Sequence, residues 1–182
     1  MTKVAIISGS LRKESYSTKI AKSVAPLFPE GFETTFVEIG NLPLYNEDID
    51  TESNVPTEYT SFRNELKDVD AVLFVTPEYN RSMSGALKNA LDVGSRPYGQ
   101  SIWDGKPAAV ISQSMGGLSG FGANHHLRQS LVFLNMPTVQ QPEAYLANSP
   151  SLFDDNGKMN GDTVEFLQSF VGVFVDLIKK HQ

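Results

Sequence analysis

The chain has 182 residues with a net charge of -6, a size for one domain with a continuous core and a charge that excludes a broad basic surface for duplex nucleic acid or an anionic membrane. It contains no cysteine, which rules out disulfides, thiolate metal sites, iron–sulfur clusters and a thiol nucleophile; redox chemistry here falls to a cofactor. No apolar run approaches the roughly 18 residues of a membrane span, and the N-terminus enters a strand without a signal-peptide pattern, so a cytoplasmic protein acting on small molecules is expected.

In chain order, Lys3 to Ser8 reads as a buried strand, and a helix follows from about Ser17 to near Pro26. Phe32 to Ile39 reads as a second strand, Gly40 to Pro56 as a long acidic loop, and Pro56 through Lys67 as a helix. Ala71 to Val75 is apolar at every position, the mark of a parallel strand covered on both faces. Ser84 caps the next helix, with Leu87, Ala90 and Leu91 on one side, and Ala108 to Ser112 is the fourth strand. Leu127, Leu131 and Leu134 mark a further helix, and Thr138-Val139-Gln140 a short fifth strand. Val164, Leu167, Phe170, Val171, Phe174, Leu177 and Ile178 form the clearest amphipathic pattern, a C-terminal helix. The alternation predicts a single α/β domain over residues 1–182, a doubly wound five-stranded parallel sheet of flavodoxin-like order 2-1-3-4-5. In that order ligands bind beyond the carboxyl ends of strands 1 and 3.

Three loops lie at that edge. The first, Ser8 to Thr18, offers hydroxyls at Ser10, Ser15, Ser17 and Thr18 and a guanidinium at Arg12, between a strand end and a helix start, which suits an anion. It has neither the second glycine of a P-loop nor the dinucleotide spacing G-x-G-x-x-G, which leaves a mononucleotide phosphate. The second, Thr76 to Gly85, carries Pro77, Glu78, Tyr79 and Asn80 as a rim for a flat heterocycle. The third, Gln113 to Gly122, contains Ser114 and four glycines, Gly116, Gly117, Gly120 and Gly122, that let backbone approach a ligand.

These motifs resemble the NADPH-dependent FMN reductases of flavodoxin-like fold, which include quinone, chromate and azo-dye reductases. The likeness is carried by Gly9 to Ser17, by Thr76 to Asn80 with Ser84 to Asp92, and by Gly116-Gly117. It implies an FMN phosphate held by Ser10, Arg12, Ser15, Ser17 and Thr18, an isoalloxazine bordered by Pro77, Glu78, Tyr79 and Asn80, and a pyrimidine side met by Ser114, Gly116 and Gly117. Ser17 departs from the pattern, since relatives often carry asparagine there. The resemblance also implies NADPH or NADH as donor, two-electron ping-pong transfer through the flavin to quinones, azo compounds, metal oxyanions or free flavin, and no covalent catalytic residue. It further implies a homodimer or homotetramer joined partly through Arg128 and Glu143. The competing class is a flavodoxin-type electron carrier, disfavoured by Arg12 in the phosphate loop.

Elsewhere the readings are plain. Adjacent His125 and His126 point about 100° apart on a helix, which is poor geometry for one metal. Asp154 to Gly157 reads as a turn, and Trp103 as a packing residue or a subunit contact, with acceptor binding the lesser alternative.

Overall fold

Every residue of Ala71–Pro77 is buried, and this strand is the spine of the molecule. The computed structural model describes residues 1–182. In chain order the elements are β1 (Thr2–Ser8), α1 (Tyr16–Val24), β2 (Phe32–Phe36), α2 (Thr57–Lys67), β3 (Ala71–Pro77), α3 (Gly85–Gly94), β4 (Ala108–Gln113), α4 (Phe121–Phe133), β5 (Ala144–Leu146) and α5 (Gly161–His181). All strand pairs are parallel and the order is β2-β1-β3-β4-β5, the expected flavodoxin-like topology.

Period-two alternation along the strands splits the core in two. On one face Ala5, Ile7, Val72 and Phe74 pack with Tyr59, Phe62 and Leu66 of α2, Leu87 and Leu91 of α3, and Leu127 and Leu131 of α4. On the other, Val4, Ile6, Leu73 and Ile111 pack with Ile20 and Val24 of α1 and Phe170, Phe174 and Ile178 of α5. The two clusters hold 22 and 20 buried residues, so the sheet is a middle layer covered almost equally on both faces. No helix is long and apolar enough to cross a membrane.

Sequence and structure part at the fifth strand. Thr138 makes only an isolated bridge to Ala108, where Val139 N donates to Ala108 O at 3.0 Å. The chain then passes Pro142, which has no N–H to give a ladder, and the strand forms at Ala144–Leu146, paired with Ile111–Gln113. Three residues on an edge leave too short a pattern to read against the stronger Thr-Val-Gln signal upstream. The second strand also stops early, at Phe36, although Val37 N still bonds Ile6 O at 3.0 Å. Trp103 is fully buried against Phe62 and Phe74, which settles it as core packing.

Candidate active site

The three loops that follow β1, β3 and β4 lie side by side because those strands are neighbours. The first two are fastened together at Gly9. Its N–H donates to Val75 O at 2.8 Å, and its carbonyl accepts from Ser84 Oγ at 2.5 Å. A Cβ at Gly9 would stand 3.1 Å from Pro77 Cδ and 3.2 Å from Leu87 Cδ2, so a side chain there would push the loops apart. Ser84 does double duty, since its Oγ also accepts from Leu87 N at 3.1 Å as the cap of α3.

In the first loop Ser15 is the N-cap of α1, accepting from Thr18 N at 3.1 Å, and Thr18 Oγ1 pairs with Ser8 Oγ at 3.0 Å. Ser10 Oγ lies 3.4 Å from Arg12 N, and the exposed Arg12 guanidinium has no carboxylate partner. The positive end of α1 and a free guanidinium thus share one loop. Ser17 differs from the sequence expectation: it is fully buried and accepts from Gln113 Nε2 at 2.9 Å, so it offers a ligand no surface and supports the loop from below.

The second loop is a tight turn in which Asn80 (φ 50) and Arg81 (φ 68) are left-handed, and Tyr79 and Ser82 exchange backbone bonds of 2.9 and 3.0 Å. That turn presents Tyr79, 48 % exposed, and Asn80 outward, above the buried Pro77. Glu78 turns the other way. Its Oε2 accepts from Ala123 N at 3.1 Å and its Oε1 from Arg81 Nη1 at 3.1 Å, with the side chain only 10 % exposed. The carboxylate therefore caps the N-terminus of α4, and the backbone is the part of Glu78 left to the rim. Gly122 makes this contact possible, for a Cβ there would fall 2.6 Å from Arg81 O.

In the third loop Ser114 Oγ donates to Gly116 O at 2.8 Å and Ser119 Oγ to Gly117 O at 3.1 Å. Gly116 and Gly117 are exposed with open space around them. Between the first two loops lies a groove of about 360 Å³ lined by Gly9, Leu11, Arg12, Tyr79, Ser84, Gly85 and Ala86, within the size range of small-ligand sites. Two larger hollows, of about 970 and 830 Å³, lie beside α2 and between α3 and α4. They lack the converging loop ends that line the smaller groove. Sequence reasoning missed Gln113, Ser149 and the packing role of Gly122, because none sits in a pattern that local spacing reveals.

The two histidines diverge as helical geometry requires. His126 Nδ1 meets Ser82 Oγ at 3.0 Å, while His125 Nε2 meets Tyr145 OH at 3.1 Å. Burial, with Glu143 beside it, pushes the Tyr145 hydroxyl up to about 12 from an ordinary 10.0. Below pH 10.0 the group is protonated in folded and unfolded chains alike and contributes nothing to the pH dependence. As pH rises from there towards about 12 the unfolded chain loses its proton first, so native stability falls. Tyr145→Phe should remove that part of the alkaline decline in urea denaturation at stepped pH; equal declines in both proteins would contradict the assignment.

Compared with known proteins, residues 2–151 match the NADPH-dependent FMN reductase family. The chain belongs to this family. As a family member it is an NAD(P)H-dependent flavin oxidoreductase with FMN as its flavin. It is 59 % identical over 176 residues to a quinone reductase of Pseudomonas putida, covering 97 % of this chain and 94 % of the relative. It is 43 % identical over 178 residues to a 2-hydroxy-1,4-benzoquinone reductase of Burkholderia sp., covering 97 % and 96 %. The solved structure of the flavoenzyme NAD(P)H:(acceptor) oxidoreductase of Paracoccus denitrificans superimposes with a TM-score of 0.91 at 39 % identity, covering 100 % of this FMN reductase and 99 % of that chain.

Proposed function

We propose that this FMN reductase holds its flavin along the edge formed by the three loops and passes electrons from NAD(P)H to quinones. The observation that carries the placement is the groove between the first two loops, lined by both Arg12, whose guanidinium has no ion pair, and Tyr79. Ser10, Arg12 and Thr18 hold the phosphate over the α1 terminus that Ser15 caps, with Ser17 beneath. Pro77, the backbone of Glu78, Tyr79 and Asn80 border the ring, and Ser114 with the open backbone of Gly116 and Gly117 meets its pyrimidine side. An arginine fork and hydroxyls fit a phosphate dianion, and a glycine backbone with no side chains around it fits the approach of a flat ring.

When bound, FMN supplies the redox chemistry, accepting hydride from a nicotinamide and returning two electrons to an acceptor. The chain's own part is to grip, orient and stabilise. Backbone N–H groups of Gly116 and Gly117 would stabilise the negative charge that reduction places on the ring edge. The exposed surface beside Tyr79 admits donor and acceptor in turn, which gives ping-pong kinetics. The named relatives favour quinones as acceptors, and the open groove extends the range to azo compounds, metal oxyanions and free flavin. Anaerobic NADPH should bleach the FMN-loaded protein without any partner reductase. A protein that stays yellow with both NADPH and NADH is a flavodoxin-type carrier.

Arg128 supports a homo-oligomer. Its Nε donates to Asn124 Oδ1 at 2.9 Å, but its Nη2 is the one buried side-chain polar atom in the chain without a partner. That nitrogen is closed off within the chain, but Nη1 of the same guanidinium is accessible and unbonded, and an acceptor such as the Glu143 carboxylate of a second copy would pair it. Sedimentation should show a dimer or tetramer, and Arg128→Ala should shift it towards smaller species. A wild-type monomer at micromolar concentration would refute this.

A further inference from the structure

A buried polar chain runs beneath the proposed site and takes no part in the roles above. Gln113, the last residue of β4, is only 7 % exposed. Its Nε2 donates to Ser17 Oγ at 2.9 Å, and its Oε1 accepts from Ser149 Oγ at 2.5 Å. Ser17 and Ser149 are both fully buried. Ser149 in turn holds the third loop, since its N–H donates to Ser114 O at 3.0 Å and its Oγ lies 2.8 Å from the same carbonyl. Asn148 N, one residue earlier, donates to Gly116 O at 3.4 Å. One amide thus ties the start of α1 to the segment that supports the glycine loop.

Packing alone does not require an amide at this position. Gln113 continues the row of Ala109 and Ile111, which face the apolar cluster of α1 and α5, and a leucine would extend that row. What a leucine lacks is a donor on one branch and an acceptor on the other. In a low-dielectric interior an amide bonded on both branches is held firmly, because any displacement strands a buried donor or acceptor.

The geometry points to Gln113 as a positioning residue that fixes the anion-binding loop and the glycine loop relative to each other, so that the phosphate and the ring of FMN are gripped as one unit. This rests on the placement of FMN proposed above. Gln113 touches neither end of the ligand by itself; it acts through Ser17 on one side and through Ser149 and Ser114 on the other. Linkage then requires that contacts at the phosphate strengthen those at the ring, and the reverse.

The test compares FMN with riboflavin, which differ only by the phosphate, in the full-length wild type and two variants. Gln113→Leu should cut the preference for FMN over riboflavin about ten-fold and shift the visible absorption maxima of the bound flavin. Ser149→Ala cuts the other arm of the same tie, so it should shift the maxima and lose a similar share of the preference. Unchanged preference in Gln113→Leu, or a preference kept intact in Ser149→Ala, overturns the proposal. Should Gln113→Leu fail to fold, Ser17→Ala cuts the same bond with almost no change of volume and should lose the preference and shift the maxima; an unaltered preference or unaltered maxima there overturn it equally. A wild type that does not bind FMN would instead overturn the placement of the flavin, and the coupling with it.

Discussion

Replacing Arg12 with alanine weakens FMN binding by about ten- to hundred-fold and changes riboflavin binding by less than about two-fold, as expected for one charge-assisted bond to phosphate. The guanidinium is exposed and makes no ion pair in the protein, so the substitution breaks no internal contact that holds the fold. Its loss therefore falls on the ligand. Arg12→Lys restores charge but not the planar fork and should recover only part of the affinity. Fluorescence quenching of both flavins measures the effect, and equal losses for FMN and riboflavin would show that Arg12 acts on the ring or the fold.

Trp103→Ala should lower stability by about 3–5 kcal/mol, the cost of emptying a large aromatic from a core. The indole is fully buried at the foot of α3, edge-on to Phe62 at 6.1 Å and 6.0 Å from Phe74, with Nε1 donating to Leu91 O at 3.0 Å. Gly94 is glycine because of it, since a Cβ there would lie 2.5 Å from Trp103 Nε1. Gly94→Ala should accordingly cost about 1–3 kcal/mol by overpacking the same spot. Against a typical total of about 5–15 kcal/mol, the tryptophan change removes a large share of stability. Urea midpoints with an unchanged slope check it, and a loss under about 1 kcal/mol would contradict the packing account. The indole packs at the end of α3 away from its Ser84 cap, so the variant, while folded, should still bind FMN.

The central strands were legible because a strand buried on both faces has no polar position to blur it. β1, β3 and β4 each carry such a run, and their adjacency follows from the topology that alternating helices impose. β5 was not legible, since three residues on an edge pair only through hydrogen bonds that composition does not encode. The site divides in the same way. Arg12, Tyr79 and the Gly116-Gly117 pair stand out as loop residues of unusual type beside strand ends. Glu78 and Ser17 also stood out, but residue type does not say which way a side chain turns: Glu78 turns to the backbone of α4 and Ser17 to Gln113. Ser149 lies 36 residues from Gln113 and meets it only through the fold.

The most direct test of the central claim is a titration of the purified protein with FMN, followed by the visible absorption spectrum. Saturation at one FMN per chain, with flavin bands altered from those of the free cofactor and weakened binding in Arg12→Ala, is the result the three-loop edge predicts. A protein that takes up no FMN, or binds it equally well without Arg12, would contradict it.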